Sequence, residues 1–169
     1  RSIRLHDIRP GRCRVFIIYF LSLPAKTENT MNAIIMAAGT SSRFAPLSYE
    51  KPKGLLEVKG EILIERQIRQ LHEAGITDIT IVVGYKSSQF HYLMEKFGVR
   101  LVMNEDYNVY NNTSSIIRVL DFLEDTYICS SDNYFPSNVF MEKPAGSYYS
   151  ALYAEGKTSE YCMTLDEED

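Results

Sequence analysis

Apolar residues occur in short runs separated by amphipathic stretches from Met31 onward, which predicts strands and helices in alternation. A short continuous apolar run is typical of a strand that is buried on both faces of a parallel sheet. Such runs predict strands at Asn32–Ala37, Ile79–Val83, Val99–Met103 and Thr126–Cys129. Two later strands are expected at Tyr148–Tyr153 and Tyr161–Leu165, joined by a polar loop.

The stretches between the first four runs have the apolar spacing of helices. In Glu61–Ala74, the residues Ile64, Ile68 and Leu71 recur at i, i+4 and i+7, and Gly75 follows as a stop signal. A second helix is expected after the capping residues Ser87 and Ser88, and a third after Asn112 or Thr113. Their predicted inward residues are Phe90, Leu93, Met94 and Phe97 for the second helix, which ends at Gly98, and Ile116, Ile117 and Leu120 for the third.

This alternation predicts the fold class. Parallel strands joined by helices form right-handed crossovers, and the helices then cover both faces of the sheet. We therefore expect an α/β protein with a Rossmann-like three-layer α/β/α arrangement and a mostly parallel, mixed sheet. Ligands of such sheets bind at the carboxyl ends of the strands, which directs attention to the segments after Ala37, Val83, Met103 and Cys129.

The two ends of the chain are interpreted differently from its middle. Residues 1–30 contain an apolar run, Val15–Leu23, that is too short for a bilayer, which needs about 20 residues. The run resembles part of a signal peptide with Ala25 near a cleavage point, but we interpret residues 1–30 as an extension or linker that precedes the domain at 31–169. Because the acidic stretch 166–169 directly follows the last predicted strand, we expect the domain to be truncated at its C-terminus.

Charge and cysteine content exclude several classes of protein. Residues 1–30 carry six basic and two acidic residues, a balance of +4, whereas the remainder carries twelve basic and twenty acidic residues, a balance of −8. An acidic main body argues against a nucleic-acid partner, because phosphate backbones bind basic faces. Cys13, Cys129 and Cys162 form no close pair and no cluster with histidine, which argues against zinc and disulfides. We therefore expect a cytoplasmic protein with no membrane or nucleic-acid partner.

The loop after the first predicted strand is the most informative segment. Gly39 lets a backbone approach a phosphate closely, and hydroxyl and amide donors surround it. Arg43 offers a bidentate fork and Lys53 a point charge, the cations that a triphosphate needs. The sequence therefore predicts a nucleotide-binding loop of Ala37, Ala38, Gly39, Thr40, Ser41 and Ser42, with Arg43 and Lys53 as catalytic cations.

Two better-known phosphate motifs are absent, since neither G-x-G-x-x-G nor G-x-x-x-x-G-K-[ST] occurs in the chain. This argues against a standard nicotinamide site and against a P-loop. An ordinary strand-to-loop turn with solvated charges is the alternative interpretation. It is disfavoured because the strand, the small-residue turn and both cations occur together.

The loop and its surroundings resemble the sugar-phosphate and phosphocholine nucleotidyltransferases, whose signature is an apolar strand followed by A-A-G-x-G-[ST]-R-[FLM], a proline and a Lys-Pro-Lys segment. The resemblance covers nearly all of residues 31–165 and implies a fold of the nucleotide-diphospho-sugar transferase type. Ser41 departs from it, because the family has a second glycine there. The matching residues are Ala37, Ala38, Gly39, Ser42, Arg43, Phe44, Pro46, Leu47 and Lys53.

Within that family the chain looks most like the bacterial CTP:phosphocholine cytidylyltransferases, on the strength of Asn111-Asn112 with Ser115 and of the run Asp132-Asn133-Tyr134. Asp132 follows a strand end, where a carboxylate can hold Mg²⁺ against a nucleotide, although Asp-Asn after a strand is more often a turn. The resemblance implies the metal role. The family's second carboxylate ligand, on a late strand, has no clear match before Asp169.

The resemblance also implies where the rest of the substrates bind. Cytosine and ribose are expected at Gly84, Tyr85, Asn112 and Ser115, although Asn112 can also cap a helix and Tyr85 can be a rim residue. Choline is a quaternary ammonium, which aromatic faces bind. Tyr161 stands where this subgroup has tryptophan, and Glu160 and Tyr153 are its candidate companions, although tyrosine is common in strands for structural reasons alone.

The implied reaction joins CTP and phosphocholine to CDP-choline and pyrophosphate, with Mg²⁺ as the cofactor. The phosphate nucleophile is already anionic, so catalysis rests on positioning and on charge neutralisation by Mg²⁺, Arg43 and Lys53. Two alternatives remain open at this point. One is a sugar-1-phosphate nucleotidyltransferase, and the other is a non-catalytic nucleotide-binding fragment of a longer protein.

Overall fold

The computed structural model describes residues 18–21, 31–110, 112–142 and 144–149. Its strands are β1 (Ile18–Leu21), β2 (Asn32–Ala37), β3 (Glu57–Val58), β4 (Glu61–Ile62), β5 (Asp78–Val83), β6 (Arg100–Met103), β7 (Thr126–Ser130) and β8 (Tyr148–Tyr149). Its α-helices are α1 (Leu63–Glu73), α2 (Tyr92–Phe97) and α3 (Asn112–Ile117). Short 3-10 turns lie at Ser42–Phe44, Leu47–Tyr49, Lys53–Leu55, Ser87–Phe90 and Leu120–Phe122.

The described part of the chain forms one mixed sheet in the strand order β6-β5-β2-β7-β1-β8, beside a small hairpin of β3 and β4. Strands β6, β5, β2 and β7 are parallel to one another. Strand β1 runs antiparallel between β7 and β8. The predicted class, an α/β protein with a mostly parallel mixed sheet, is therefore confirmed.

Successive side chains of the central strand β2 point to opposite faces of the sheet, and a core cluster covers each face. Ile35 lies in the larger core cluster, which also contains Ile64 and Ile68 of α1 and Leu93 of α2. Ile34 lies in a second cluster on the opposite face, together with Val82 and Val119. Helices α1 and α2 thus cover one face, and the segment after α3 covers the other, which makes three layers.

The first helix begins at Leu63, two residues later than the periodicity predicts. Glu61 and Ile62 instead pair with β3 across a two-residue turn. Both turn residues have positive φ, 53° at Lys59 and 83° at Gly60. Two positive φ values are what a tight hairpin of this twist requires, so turn geometry overrides the helical spacing here.

The second predicted helix is divided into a 3-10 turn, Ser87–Phe90, and the short helix α2. No side chain caps either element, so the predicted capping by Ser87 and Ser88 is wrong. Phe90 and Leu93 are buried as expected, but Met94 is 44% exposed. The change of helix type between Phe90 and Tyr92 breaks the continuous period on which the assignment of Met94 to the inward face rested.

In the third helix region, the predicted inward orientation of two residues is wrong. Ile117 and Leu120 were expected to point inward, but they are 60% and 54% exposed. Helix α3 ends at Ile117, so its periodicity does not extend to Leu120. Val119, in the turn that follows, is fully buried instead.

The ends of the chain are described only in part. Strand β1 lies within residues 1–30, which were interpreted as an extension or linker, and it pairs with β7 in the sheet. Of the predicted strand Tyr148–Tyr153, the structure describes Tyr148–Tyr149 as β8. The predicted strand Tyr161–Leu165 lies outside the described residues. No helix in the described ranges is long and apolar enough to cross a membrane.

Candidate functional site

A cavity of about 350 Å³ lies at the carboxyl ends of β2, β6 and β7. This is the edge of a parallel sheet where ligands are expected. Four segments line it, namely the loop after β2, the 3-10 turn at Lys53, the stretch from the end of β6 into α3, and the turn after β7. The lining residues are Met36, Ala37, Ala38, Gly39, Thr40, Ser41, Ser42, Arg43, Phe44, Lys53, Gly54, Asn104, Tyr107, Tyr110, Asn112, Ser115, Ser130, Ser131 and Asp132.

The loop after β2 contributes the whole predicted run from Ala37 to Arg43 to this cavity. A Cβ atom built on Gly39 would meet no heavy atom within 4 Å, so the space in front of its backbone is open. Ser41 has φ 55° and ψ 35°, the left-handed conformation that glycine adopts most readily. The departure from the family signature therefore falls at a position whose backbone favours glycine. Arg43 follows in a 3-10 turn and is exposed at the rim.

Two predicted charged residues that line the cavity, Lys53 and Asp132, form an ion pair. Asp132 also accepts a hydrogen bond from the hydroxyl of Ser130 at the end of β7. The Lys53 ammonium lies 5.0 Å from the centre of the Phe44 ring, a cation–π contact with the loop after β2. Lys53 thus connects the loop that faces the open space with the carboxylate on the next strand.

The Asp132 carboxylate is held in its charged form. Burial, the largest single influence, acts to raise its pKa. The hydrogen bonds from Lys53 and Ser130 and the Lys53 charge together outweigh burial, so the pKa lies below the ordinary value of 3.8. A charged carboxylate in the cavity wall is suited to a cation rather than to proton transfer near neutral pH.

A glycine brings Lys53 to Asp132. The 3-10 turn Lys53–Leu55 packs directly against the turn after β7. A Cβ atom on Gly54 would lie 2.8 Å from Cβ and 2.9 Å from Oγ of Ser131, the residue before Asp132. Only a glycine allows this approach without displacing the turn.

Asn104 is a buried site residue that sequence reasoning missed. It is 1% exposed, follows β6 directly and donates from its amide to the hydroxyls of Ser114 and Ser115, at 2.9 and 3.1 Å. Its own Oδ1 accepts from the backbone N–H of Asp106 at 3.1 Å. Asn104 therefore holds Ser115, a predicted nucleotide-binding residue, at the cavity wall. The sequence signal for Asn104 is its position directly after a predicted strand. It is easily missed, because Asn-Glu-Asp is also typical of an ordinary turn.

Gly84 and Tyr85 lie beside the cavity and do not line it. A Cβ atom on Gly84 would lie 2.7 Å from Tyr107 and 2.8 Å from the carbonyl oxygen of Ala38. The backbone N–H of Tyr85 donates to that same carbonyl at 3.0 Å, and its phenol donates to the carbonyl of Ser48 at 3.3 Å. In this arrangement the two residues support the loop after β2 from behind. Asn112 and Ser115, by contrast, do line the cavity.

The candidate residues for an aromatic cage, Tyr153, Glu160 and Tyr161, lie outside the described residues. So does Asn111, one of the residues that carried the resemblance.

The donors at Asp132 fit one mode of magnesium binding. Among the described residues, no group of three or more His, Cys, Asp or Glu side chains could hold a metal ion. Asp132 is the carboxylate that the described cavity wall contains. Magnesium is commonly held by one or two carboxylates together with substrate phosphates and water. Asp132 beside an anion-binding loop has this chemistry, so a nucleotide would have to supply further ligands.

A mostly parallel α/β sheet, with an open glycine-containing loop, a lysine and a carboxylate at its carboxyl edge, is the arrangement expected of a nucleotidyltransferase-type domain. The model of the MobA-like NTP transferase domain matches residues 33–157. The chain belongs to this family, and the resemblance to nucleotidyltransferases is confirmed.

Two relatives and one solved structure illustrate the similarity. A choline-phosphate cytidylyltransferase of Streptococcus pneumoniae is 43% identical over 138 residues, which cover 82% of this chain and 60% of that protein. A 2-aminoethylphosphonate cytidylyltransferase of Lancefieldella rimae is 41% identical over 140 residues, with 80% and 57% covered. The structure of the CTP:phosphocholine cytidylyltransferase from Streptococcus pneumoniae is 47% identical, with a TM-score of 0.66, over 67% of this chain and 50% of that one. The chain thus spans about three-fifths of the length of these curated relatives.

Proposed function

We propose that the chain carries the nucleotide site of a Mg²⁺-dependent cytidylyltransferase, which joins CTP and phosphocholine to give CDP-choline and pyrophosphate. The observation that carries the proposal is the Lys53–Asp132 ion pair, which lines the same cavity as the loop around the open Gly39 backbone. The 43% identity to a choline-phosphate cytidylyltransferase supports cytidine and choline as the substrate classes.

In this proposal the triphosphate of CTP binds against the loop from Ala37 to Ser42. Its backbone approaches at Gly39, where no side chain intervenes. Arg43 and Lys53 neutralise the phosphate charge from the two sides of the loop. Asn112 and Ser115 face the same cavity and bind the nucleoside end by hydrogen bonds.

The reaction needs no general base, because the nucleophile is an oxygen of an already charged phosphate. That oxygen forms a bond to the α-phosphorus of CTP, and the bond between the α-phosphorus and the oxygen bridging to the β-phosphorus breaks. The bonding electrons leave with pyrophosphate. Lys53 and Arg43 offset the negative charge that develops on the transferring and leaving groups.

Asp132 would hold magnesium, with the phosphates of CTP completing its ligands. The ion supplies charge neutralisation and orients the triphosphate. The Asp132 pKa, held below its ordinary value, keeps this carboxylate charged and available at neutral pH. Lys53 is the counter-ion of this carboxylate in the structure.

The proposal is tested in two steps on the 169-residue chain. Thermal unfolding with Mg²⁺ and each nucleoside triphosphate in turn measures which nucleotide stabilises the fold, and CTP is expected to raise Tm most. Pyrophosphate release with CTP and phosphocholine then measures turnover. Equal or absent stabilisation by the four nucleotides contradicts the cytidine site. Stabilisation by CTP without turnover supports the alternative of a nucleotide-binding part that does not act alone.

A second acceptor has a specific observation in its favour. The relative named for 2-aminoethylphosphonate is 41% identical, nearly as similar as the relative named for choline phosphate. Both acceptors carry a phosphorus oxyanion and a cationic nitrogen, so the nucleotide half of the site would be shared. Pyrophosphate release with phosphocholine, 2-aminoethylphosphonate and glucose 1-phosphate compares the acceptors directly. Turnover with glucose 1-phosphate alone would favour a sugar-1-phosphate nucleotidyltransferase.

A further inference from the structure

Helix α1 carries an amide side chain at a position where an apolar residue would be expected. Gln67 is 1% exposed and stands next to Ile68, one turn after Ile64, on the side of the helix that meets the sheet. Burying an amide is unfavourable unless its polar atoms are paired. A residue that breaks the local pattern in this way is expected where function requires it.

The amide of Gln67 closes both ends of the turn that presents Asp132. Its Nε2 donates to the carbonyl of Ser130 at 2.8 Å and to the carbonyl of Asn133 at 3.1 Å. The backbone N–H of Asn133 donates to the carbonyl of Ser130 at 3.3 Å, so these two residues are the first and last of a four-residue turn. Asp132 lies inside that turn, and the Ser130 hydroxyl donates to its carboxylate.

Only the donor half of this amide is paired. Gln67 Oε1 is buried and has no hydrogen-bond partner in the described part of the chain. A buried acceptor without a partner lowers stability. If the position served only core packing, methionine or leucine would therefore be more stable there than glutamine. The amide offsets this cost with two donor hydrogen bonds, both to the turn around Asp132.

We infer that Gln67 is a positioning residue for Asp132, which fixes the carboxylate where it meets the magnesium–nucleotide complex. The inference rests on the proposed function. Gln67 does not line the cavity and acts only through the turn that it closes. Residues that orient a metal-binding carboxylate from behind typically change metal affinity by about 10- to 100-fold when they are removed.

Helix α1 also offers a matched control, because Gln70 lies one turn later with the same kind of contact. Gln70 is 5% exposed, and its Nε2 donates to the carbonyl of Phe135 at 3.1 Å. Its Oε1 is likewise buried without a partner. The difference is that Phe135 lies outside the turn Ser130–Asn133. The variants Gln67→Met and Gln70→Met therefore make the same chemical change with and without contact to that turn.

The experiment measures CTP affinity of the wild-type chain and both variants by isothermal titration calorimetry, once with Mg²⁺ and once with EDTA. Gln67→Met is expected to weaken CTP binding about 10- to 100-fold in Mg²⁺ and to leave the weaker binding in EDTA unchanged. Gln70→Met is expected to bind as the wild type does under both conditions. Thermal unfolding of the same samples gives the effect on the fold, which should be larger for Gln67→Met because it removes two donor bonds and Gln70→Met removes one.

The outcomes separate this inference from the proposed function. Wild-type affinity of Gln67→Met in Mg²⁺, or an equal loss with and without Mg²⁺, overturns the positioning role and leaves the cytidylyltransferase proposal intact. A wild-type chain that binds CTP equally in Mg²⁺ and EDTA, or not at all, overturns the proposed function and this inference with it. If Gln67→Met does not fold, Gln67→Asn provides the second variant. It keeps an amide but withdraws it by one methylene, and the same loss confined to Mg²⁺ is expected.

Discussion

Lys53 and Asp132 are 79 residues apart in the sequence and form an ion pair in the cavity wall. The pair connects the segment after the phosphate-facing loop with the turn after β7. Both side chains are about one-third exposed or less, so the pair faces the cavity while remaining partly shielded from water. A nucleotide with magnesium would exchange this contact for two others, phosphate to Lys53 and metal to Asp132.

Replacing Lys53 is expected to remove catalysis while sparing the fold. Lys53→Met keeps the length of the side chain and deletes its charge at the phosphate position. Loss of one such electrostatic contact typically costs about 10²- to 10³-fold in turnover. Pyrophosphate release measures the effect, and Tm measures folding. Lys51→Met is the control, since Lys51 is exposed nearby and does not line the cavity. Equal activity of the two variants would contradict the role of Lys53.

The same variant changes the titration of Asp132. Without Lys53, burial acts with less opposition, so the pKa of Asp132 is expected to rise from its depressed value. Carbon-detected NMR of the carboxyl group measures this directly. A depressed pKa contributes stability that is present above the unfolded-state value, about 4, and is lost as pH falls through the folded-state pKa. The wild-type advantage in the free energy of unfolding should therefore shrink below about pH 4. A constant difference across that range would contradict the pairing.

Gly39→Ala separates ligand binding from folding. The added Cβ would meet nothing within 4 Å, and Gly39 is not among the glycines with positive φ. Stability should therefore stay the same or rise by up to about 1 kcal/mol, because the unfolded chain loses freedom. The methyl group would stand where a phosphate approaches the backbone, so CTP affinity should fall about tenfold or more, equivalent to about 1.4 kcal/mol. Gly146→Ala, equally open and away from the cavity, should leave CTP affinity unchanged.

Ser41→Gly tests the departure from the family signature. Ser41 has φ 55°, where an L residue is strained and glycine is not. The substitution is expected to stabilise the folded chain by up to about 1 kcal/mol, because relief of strain exceeds the added freedom of the unfolded glycine. Chemical unfolding with urea measures the change. Destabilisation would show that the Ser41 side chain stabilises the fold by more free energy than its left-handed backbone conformation costs.

The packing of Gly54 on Ser131 predicts a coupled pair of substitutions. Gly54→Ala inserts a methyl group 2.8 Å from the Ser131 Cβ, and overpacking of this kind costs about 1–3 kcal/mol. Ser131→Gly removes both side-chain atoms that the new methyl would meet. The double variant should therefore recover part of the loss, and a double-mutant cycle measures the coupling. Simple additivity of the two single effects would contradict direct contact.

The loop from Ala37 to Arg43 and Lys53 were predicted from local signals, whereas the role of Asp132 was implied by the family resemblance. The loop follows an apolar run, and Asp132 comes directly after another. Parallel strands bring such carboxyl ends to one edge, so the topology converts separate local signals into one cavity. Strands β2, β5, β6 and β7 were predicted for the same reason, since their apolar runs are continuous.

Residues whose role depends on distant partners could not be predicted in this way. Asn104 reads as a turn former until Ser114 and Ser115 are known to lie against its amide. Gln67 breaks the apolar face of its helix, and nothing in the local sequence names the partners that its amide has in Ser130 and Asn133. The inward assignment of Ile117 and Leu120 failed because a short helix gave way to a different turn type. Periodicity contains no information about where such a change occurs.

The position of strand β1 in the sheet has a consequence for folding during synthesis. It lies between β7 and β8, pairing Ile18 with Cys129 and Tyr19 with Tyr149, so both neighbours come from more than one hundred residues further along. During synthesis on a ribosome, β2, β5 and β6 emerge and can associate before either strand that pairs with β1 has been made. Its unpaired backbone groups are then an open edge, which can join the strand of another nascent chain. Strand β1 is thus protected only after β7 and β8 have been synthesised, and slow translation before residue 126 would prolong its exposure.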